Sequence, residues 1–130
     1  MVETHYNKLL IWQKAMSIVD DVYFLTKELP KEELYGLTSQ MRRAAVSIPS
    51  NIAEGSQRNS QKEFAKFILI AKGSLSELET QLLVCFRQKI ARSTLVESLL
   101  EKTDELGRML YSFHSSIRSR ISRLESHISS

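Results

Sequence analysis

The sequence predicts an all-α protein, an antiparallel up-down-up-down four-helix bundle, in a single domain spanning residues 1–130. Apolar residues recur at alternating steps of three and four along most of the chain, which is the period of an amphipathic helix. Short segments containing proline, glycine or serine separate four such stretches, at roughly 8–29, 31–55, 61–88 and 94–124. No segment shows the alternation of a strand. Short connections favour antiparallel neighbours, which gives the predicted topology.

The first predicted helix carries two adjacent apolar rows. They are Leu9, Trp12, Met16, Val19, Tyr23, Thr26 and Ile11, Ala15, Ile18, Val22, Leu25, Leu29. Together they form a wider apolar arc than one seam of a bundle requires. A second buried face needs cover from outside the bundle, and a second copy of the chain would supply it. We therefore expect a homo-oligomer.

The second predicted helix is bounded and interrupted by prolines. Pro30 ends the first helix and suits the first turn of the next one. Pro49 lies inside the second helix and lacks the amide that would bond the carbonyl of Ala45. We expect a kink or a local break there, with Ser50 or Asn51 satisfying the freed carbonyl.

Two capping-box patterns open the third and fourth helices. Ser60–Glu63 has the required Ser-x-x-Glu spacing, and Thr94–Glu97 is a second possible box. Gly73, in the middle of the third helix, is unfavourable there and is typical of a close helix contact. The fourth helix ends in serine-rich sequence, so we expect fraying or disorder beyond roughly Arg123.

Composition excludes several classes of protein. The lone Cys85 cannot form an internal disulfide, and a chain of 130 residues needs none to fold. The longest wholly apolar run, Leu9–Trp12, is far shorter than the roughly 20 residues of a membrane span. The start of the chain lacks the basic-then-apolar pattern of a signal peptide, which favours a cytoplasmic location.

Catalytic and metal-binding patterns are missing from the sequence. A metal site in a bundle core requires Glu-x-x-His pairs, and the chain has none. We expect its three histidines, His5, His114 and His127, to lie on the surface. Cys85 falls on an inward stripe, where cysteine usually acts as a small apolar residue. We therefore expect no enzyme activity, no catalytic residue, no metal and no cofactor.

Polar residues form one row along the second helix. They are Gln40, Arg43, Ser47, Ser50 and Glu54. This row is either a solvated face or a hydrogen-bonded seam against a neighbouring helix or subunit, because small serines between charges allow close approach. Both readings remain open from the sequence.

Basic residues concentrate at one end of the predicted bundle. That end would collect eight bases (Lys8, Lys14, Arg58, Lys62, Lys66, Arg118, Arg120, Arg123) against four acids (Glu3, Glu54, Glu63, Glu125). The net charge of the whole chain is only +3, so the excess is local. A second, smaller cluster at the other end consists of Arg87, Lys89 and Arg92, in a stretch without acids. Either cluster could neutralise phosphates of a nucleic acid, or only keep the surface solvated.

Three segments, Leu10–Ala15, Tyr35–Gly55 and Ile70–Glu79, together resemble a known family. The most specific block is Ser-Ile-Pro-Ser-Asn-Ile-Ala-Glu-Gly, from Ser47 to Gly55. The chain is similar to the bacterial four-helix-bundle proteins encoded in intervening sequences of 23S ribosomal RNA genes. The resemblance implies a ring-like homopentamer. It also implies kinship in fold with the accessory variability protein of diversity-generating retroelements, a basic pentamer that binds nucleic acid and a reverse transcriptase.

The resemblance and the charge pattern together give two functional hypotheses. The first is an oligomeric scaffold that binds RNA or DNA, with these phosphate contacts: Arg43, Arg58, Lys62, Lys66, Arg118 and Arg120. The second is a protein-binding adaptor, for example for a reverse transcriptase. Polar candidates carried over from the family block are Arg42, Arg43, Ser47, Asn51 and Glu54, while Pro49, Gly55 and Gly73 are read as structural. A helical enzyme or metal carrier is disfavoured because ligands are lacking. No membrane partner is expected.

Overall fold

Four α-helices make up most of the computed structural model, which describes residues 6–129. They are α1 (Leu10–Thr26), α2 (Ser39–Ser56), α3 (Gln61–Gln88) and α4 (Ser93–Ser129). Single 3-10 turns occupy Tyr6–Lys8 and Lys31–Glu33, and a π-helical turn occupies Leu34–Thr38. Within residues 6–129 there is no strand. The all-α prediction with four helices is confirmed.

Each helix packs on its neighbours in the sequence, and α1 also packs on α4. Ion pairs along the seam between α1 and α4 give the direction of these two helices. Lys14, early in α1, pairs with Glu105 at 2.9 Å, while Glu28, just past the end of α1, pairs with Arg92, just before the start of α4. Residue numbers therefore rise along one helix as they fall along the other. The two helices are antiparallel.

The core is built from aliphatic side chains of all four helices. Fully or nearly fully buried members include Ile18, Val22, Met41, Ile48, Ile52, Ile68, Leu78, Leu82, Leu106, Leu110 and Ile117. Of the two apolar rows on α1, the row from Ile11 to Leu29 is buried throughout. In the other row, Met16 and Tyr23 remain more than a third exposed in the single chain. The rest of this second row is buried or partly buried within the chain: Leu9, Trp12 and Val19 pack against the core, and Thr26 is buried.

The start of α2 differs from the prediction of a helix from residue 31. Regular α-helix begins only at Ser39, after the 3-10 and π-helical turns. Gly36 lies in this irregular segment, and glycine disfavours a regular helix by about 1 kcal/mol relative to alanine. Of the kink or local break predicted at Pro49, the break does not occur. Pro49 is buried inside a continuous helix, where packing against the core compensates for the missing hydrogen bond.

The ends of α3 and α4 follow local signals in part. The Ser60 hydroxyl accepts a hydrogen bond from the Glu63 amide at 3.2 Å, as the capping-box pattern predicts. Because α4 begins at Ser93, Thr94 lies inside its first turn and past the capping position. The helix also continues to Ser129, past the end at about residue 124 that the sequence predicts. From residue 122 to 128 every side chain is exposed, and this end projects beyond the core.

Candidate functional site

A groove lies between the first turns of α3 and the later turns of α4. Its volume is about 390 Å³. The residues lining it, called the basic groove below, are Lys62, Ala65, Lys66 and Leu69 from α3 and His114, Arg118, Ile121, Ser122 and Glu125 from α4. Its lining combines basic side chains with three apolar ones, Ala65, Leu69 and Ile121, which are called the apolar floor below.

The helical period places these residues on facing surfaces. Positions 114, 118, 121 and 125 recur at steps of four, three and four, so their side chains follow one stripe of α4. On α3, Lys62, Lys66 and Leu69 follow the same rule. The register between the two stripes is held below the groove, where the rings of Phe64 and Phe113 pack edge to face with centroids 5.3 Å apart.

Charges in the basic groove are only partly neutralised. Lys62 pairs with Glu125 at 3.1 Å, and both side chains remain largely exposed. Among the described residues, neither Lys66 nor Arg118 forms an ion pair. His114 is partly buried beside them. Burial, followed by the charges of Arg118 and Lys72, holds the pKa of His114 below its usual value of 6.5. The imidazole is therefore mainly neutral at pH 7.

His114 was predicted to be an ordinary surface histidine, and this prediction missed its place in the basic groove. Its spacing of four from Arg118 indicates a shared stripe. That the stripe faces Lys66 depends on packing between helices, which periodicity alone does not reveal. His127 is exposed in the last turns of α4, and His5 lies outside the described residues.

Three of the six predicted phosphate contacts, Arg43, Arg58 and Arg120, lie outside the groove lining. Arg58 donates to Glu54 at 2.9 Å and stacks over the ring of Phe67 at 5.0 Å, so its charge is partly balanced. Arg120 is two positions from Arg118, a rotation of about 200° around the helix. It therefore faces away from the groove that Arg118 lines, although both belong to the same basic end.

Arg43 is separated from the other predicted contacts. It lies early in α2, at the opposite half of the bundle from the start of α3. There it lines a smaller cleft of about 240 Å³ between α2 and α3, together with Ser47, Ser74 and Glu77. The structure thus brings together Lys62, Lys66 and Arg118 and leaves Arg43 at a distinct site.

The polar residues of the family block connect helices. Ser47 Oγ lies 2.8 Å from Ser74 Oγ on α3, and the Asn51 amide donates to both the carbonyl and the hydroxyl of Ser47, at 2.8 and 3.0 Å. At this point the polar row of α2 is a hydrogen-bonded seam against a neighbouring helix. Serines on both sides of the seam keep it narrow enough for direct hydrogen bonds.

Arg42 connects α2 to α1 in a similar way. Its Nε donates to Thr26 Oγ1 at 2.9 Å, and its guanidinium lies 4.6 Å from the centre of the Tyr23 ring. Thr26 in turn donates to the Val22 carbonyl at 2.7 Å. This chain of contacts holds the end of α1 against the first turns of α2.

Nucleophilic and metal-binding chemistry finds little support in the described part of the chain. Cys85 is buried, and burial together with the charge of Glu33 raises the pKa of its thiol to about 11, so the reactive thiolate is scarce at neutral pH. Between residues 6 and 129 no cluster of three or more histidine, cysteine or acidic side chains could hold a metal ion. No helix in this range has both the length and the apolarity needed to cross a membrane.

Comparisons with known proteins agree on the fold. A family model, described as 23S rRNA-intervening sequence protein, matches residues 7–112. A solved structure from Bacteroides thetaiotaomicron, described as a protein with unknown function from the S23 ribosomal protein family, superimposes with a TM-score of 0.75. It shares 24% sequence identity, and the match covers 82% of this chain and 96% of that one. No curated protein matches.

Proposed function

Because this chain belongs to the 23S rRNA-intervening sequence protein family, we propose that it is a cytoplasmic, oligomeric scaffold without catalytic activity that binds nucleic acid at the basic end of its bundle. The observation that carries the proposal is the meeting of Lys62, Lys66 and Arg118, from two helices, around one groove. Lys66 and Arg118 have no ion-pair partner among the described residues. Phosphate groups are the natural counter-charges for such side chains, and their binding releases condensed cations.

Neighbouring features extend the basic surface. Arg120 and Arg123 are exposed on the projecting end of α4, and Arg58 lies in the connection before α3. A nucleic acid that wraps around this end of the bundle can reach these side chains in addition to those of the groove. Phosphate contacts of this kind are independent of sequence, which suits a scaffold better than a sequence-specific regulator.

Self-assembly is the second part of the proposal, and the outer face of α3 supports it. Ile70 and Val84 are 50% and 39% exposed, and they lie on the same stripe as Gly73. A Cβ atom added at Gly73 would meet nothing within 4 Å, so the close contact predicted for this glycine is not made inside the chain. A second copy packed on this face would bury the apolar side chains and use the space at Gly73.

Binding is tested by fluorescence anisotropy with a labelled structured RNA at roughly 50 and 200 mM salt. We expect affinity to fall steeply with salt, and to fall again in the double variant Lys66→Glu and Arg118→Glu. The control is Lys27→Glu and Lys31→Glu, which makes the same change in net charge at exposed positions at the opposite end of the bundle. Equal losses of RNA affinity in both double variants would show that binding depends only on the net charge of the protein, and would contradict the proposed site.

Assembly is tested by light scattering. We expect a particle several times the 14.9 kDa mass of one chain, and a smaller particle for Ile70→Glu or Val84→Glu. A monomeric wild-type protein would contradict the assembly proposal and leave the nucleic-acid proposal intact. Retention of a reverse transcriptase or other protein at high salt, without any nucleic acid, would instead favour the adaptor hypothesis.

A further inference from the structure

The basic groove has an apolar part, which contacts to the phosphates of a nucleic acid do not use. Its floor is made of Ala65, Leu69 and Ile121, and Leu69 is 49% exposed to water. A surface that only tracks phosphates has no need for an apolar floor between its cations, since phosphates gain nothing from apolar contact. These apolar side chains favour a ligand that has an apolar part beside its negative charge.

Building on the proposed nucleic-acid scaffold, we infer that the basic groove receives an unpaired nucleotide of a single strand, with phosphate on Lys66 and Arg118 and the base on the apolar floor. The volume of about 390 Å³ falls within the range of about 300–1,000 Å³ that small-molecule pockets occupy. In a duplex the bases are stacked and paired, so only the phosphates can reach the groove. A single strand can turn a base inward, and apolar contact between the base and the aliphatic floor then adds to phosphate binding.

His114 lines the groove, and its pKa can report whether such a ligand is bound. The charged groups around it are Lys62, Lys66 and Lys72 on α3 and Arg118 and Glu125 on α4. Burial and the nearby cations lower the pKa of His114 in the free protein. A phosphate between Lys66 and Arg118 offsets those cations, so the bound strand raises the pKa of His114. Binding and protonation are thereby linked, and affinity increases as pH falls through this range.

Glu125 opposes the ligand at one end of the groove. Its carboxylate lies 3.1 Å from Lys62 and repels an incoming phosphate. Glu125→Gln removes this repulsion and leaves an amide of the same shape. We expect this variant to bind a single strand more tightly than the wild type.

The experiment compares a labelled single-stranded RNA of about 12 nucleotides with a duplex of the same sequence, by anisotropy at one salt concentration. We expect the single strand to bind at least about fivefold more tightly. Leu69→Gln should remove most of this preference and leave the affinity for the duplex unchanged. Leu34→Gln is the matched control, because Leu34 is also 49% exposed but lies at the opposite end of the bundle.

The same samples are titrated by NMR to follow the His114 ring, identified by its loss in His114→Gln. A pKa that rises with the single strand supports the inference. The inference of a single-strand site is wrong if both RNAs bind with equal affinity, if Leu69→Gln and Leu34→Gln have equal effects, and if the pKa of His114 does not move. Nucleic-acid binding itself would remain in place. If neither RNA binds, the proposed function itself fails, and the groove inference fails with it.

Discussion

Gly55 and Phe67 are packed so closely that a methyl group on the Cα of Gly55 would lie 2.6 Å from the Cβ of Phe67. The same methyl group would lie 3.0 Å from Cδ1 of Phe64. Phe67 Cβ is fixed to the α3 backbone and cannot rotate away. Gly55 therefore sets the distance between the end of α2 and the start of α3, next to the helix turns that carry Lys62 and Lys66.

Gly55→Ala is expected to lower the free energy of unfolding by about 1–3 kcal/mol, because the helices must separate to admit the methyl group. Urea unfolding at fixed protein concentration measures the change. The matched control is Gly107→Ala, where the new methyl group would lie at an ordinary contact distance of 3.5 Å from Leu75 Cδ2. That variant should gain up to about 1 kcal/mol from helix propensity. A loss of the same size in both variants would contradict the packing explanation.

The seam between Ser47 and Ser74 gives an asymmetric prediction. Ser74→Ala removes one hydrogen bond, while Ser47→Ala also removes the bond from the Asn51 amide to the Ser47 hydroxyl. We expect Ser74→Ala to cost about 1 kcal/mol and Ser47→Ala to cost more. A double-mutant cycle measured by urea unfolding should give a coupling energy of about 0.5–1 kcal/mol between the two serines. Equal single costs with no coupling would contradict a stabilising hydrogen bond between Ser47 and Ser74.

Patterns between residues close together in the sequence predicted the features that depend only on such neighbours. The four-helix class follows from apolar spacing, and the cap at Ser60 follows from a four-residue pattern. Pro49 shows the limit of such rules, because burial against the core keeps a continuous helix where the local rule predicts a break. Tertiary packing outweighs the cost of one missing hydrogen bond.

The candidate site depends on register between helices, which local patterns do not encode. Grouping residues by helix end placed Arg118 and Arg120 together, yet their spacing rotates them to different faces. Arg43 was grouped with Lys62 by residue type and family block, although the two lie in opposite halves of the bundle. The apolar floor was missed because Leu69 and Ile121 become neighbours only after α3 and α4 pack.

Cys85 is expected to be unreactive in the folded protein. Its Sγ lies 3.7 Å from the Met41 sulfur in the core, and its pKa is raised to about 11. A thiol reagent at pH 8 should label the native protein at least about a hundredfold more slowly than the protein in urea, because labelling requires the core to open. The sequence contains one cysteine, so the signal reports this residue alone. Fast labelling of the native protein would contradict the observed burial.

Acid should destabilise the fold through His114. Its pKa is lowered in the folded chain by burial and then by Arg118 and Lys72, while the unfolded chain keeps the ordinary value of 6.5. Between the two pKa values the unfolded state binds more protons, so the free energy of unfolding increases with pH through this window. The contribution is complete above pH 6.5 and is lost as the pH falls below the folded pKa.

Urea unfolding between about pH 5 and 8 should therefore show a slope that His114→Gln reduces. His127→Gln, which changes an exposed histidine in the last turns of α4, is the control. If both variants flatten the slope equally, the environment of His114 is not its cause. Arg118→Gln gives a separate check on the source of the effect. It removes a positive charge beside the ring, so it should raise the pKa of His114 and narrow the pH range over which stability changes. If the pKa of His114 does not move, burial alone lowers it and Arg118 has no part in the effect.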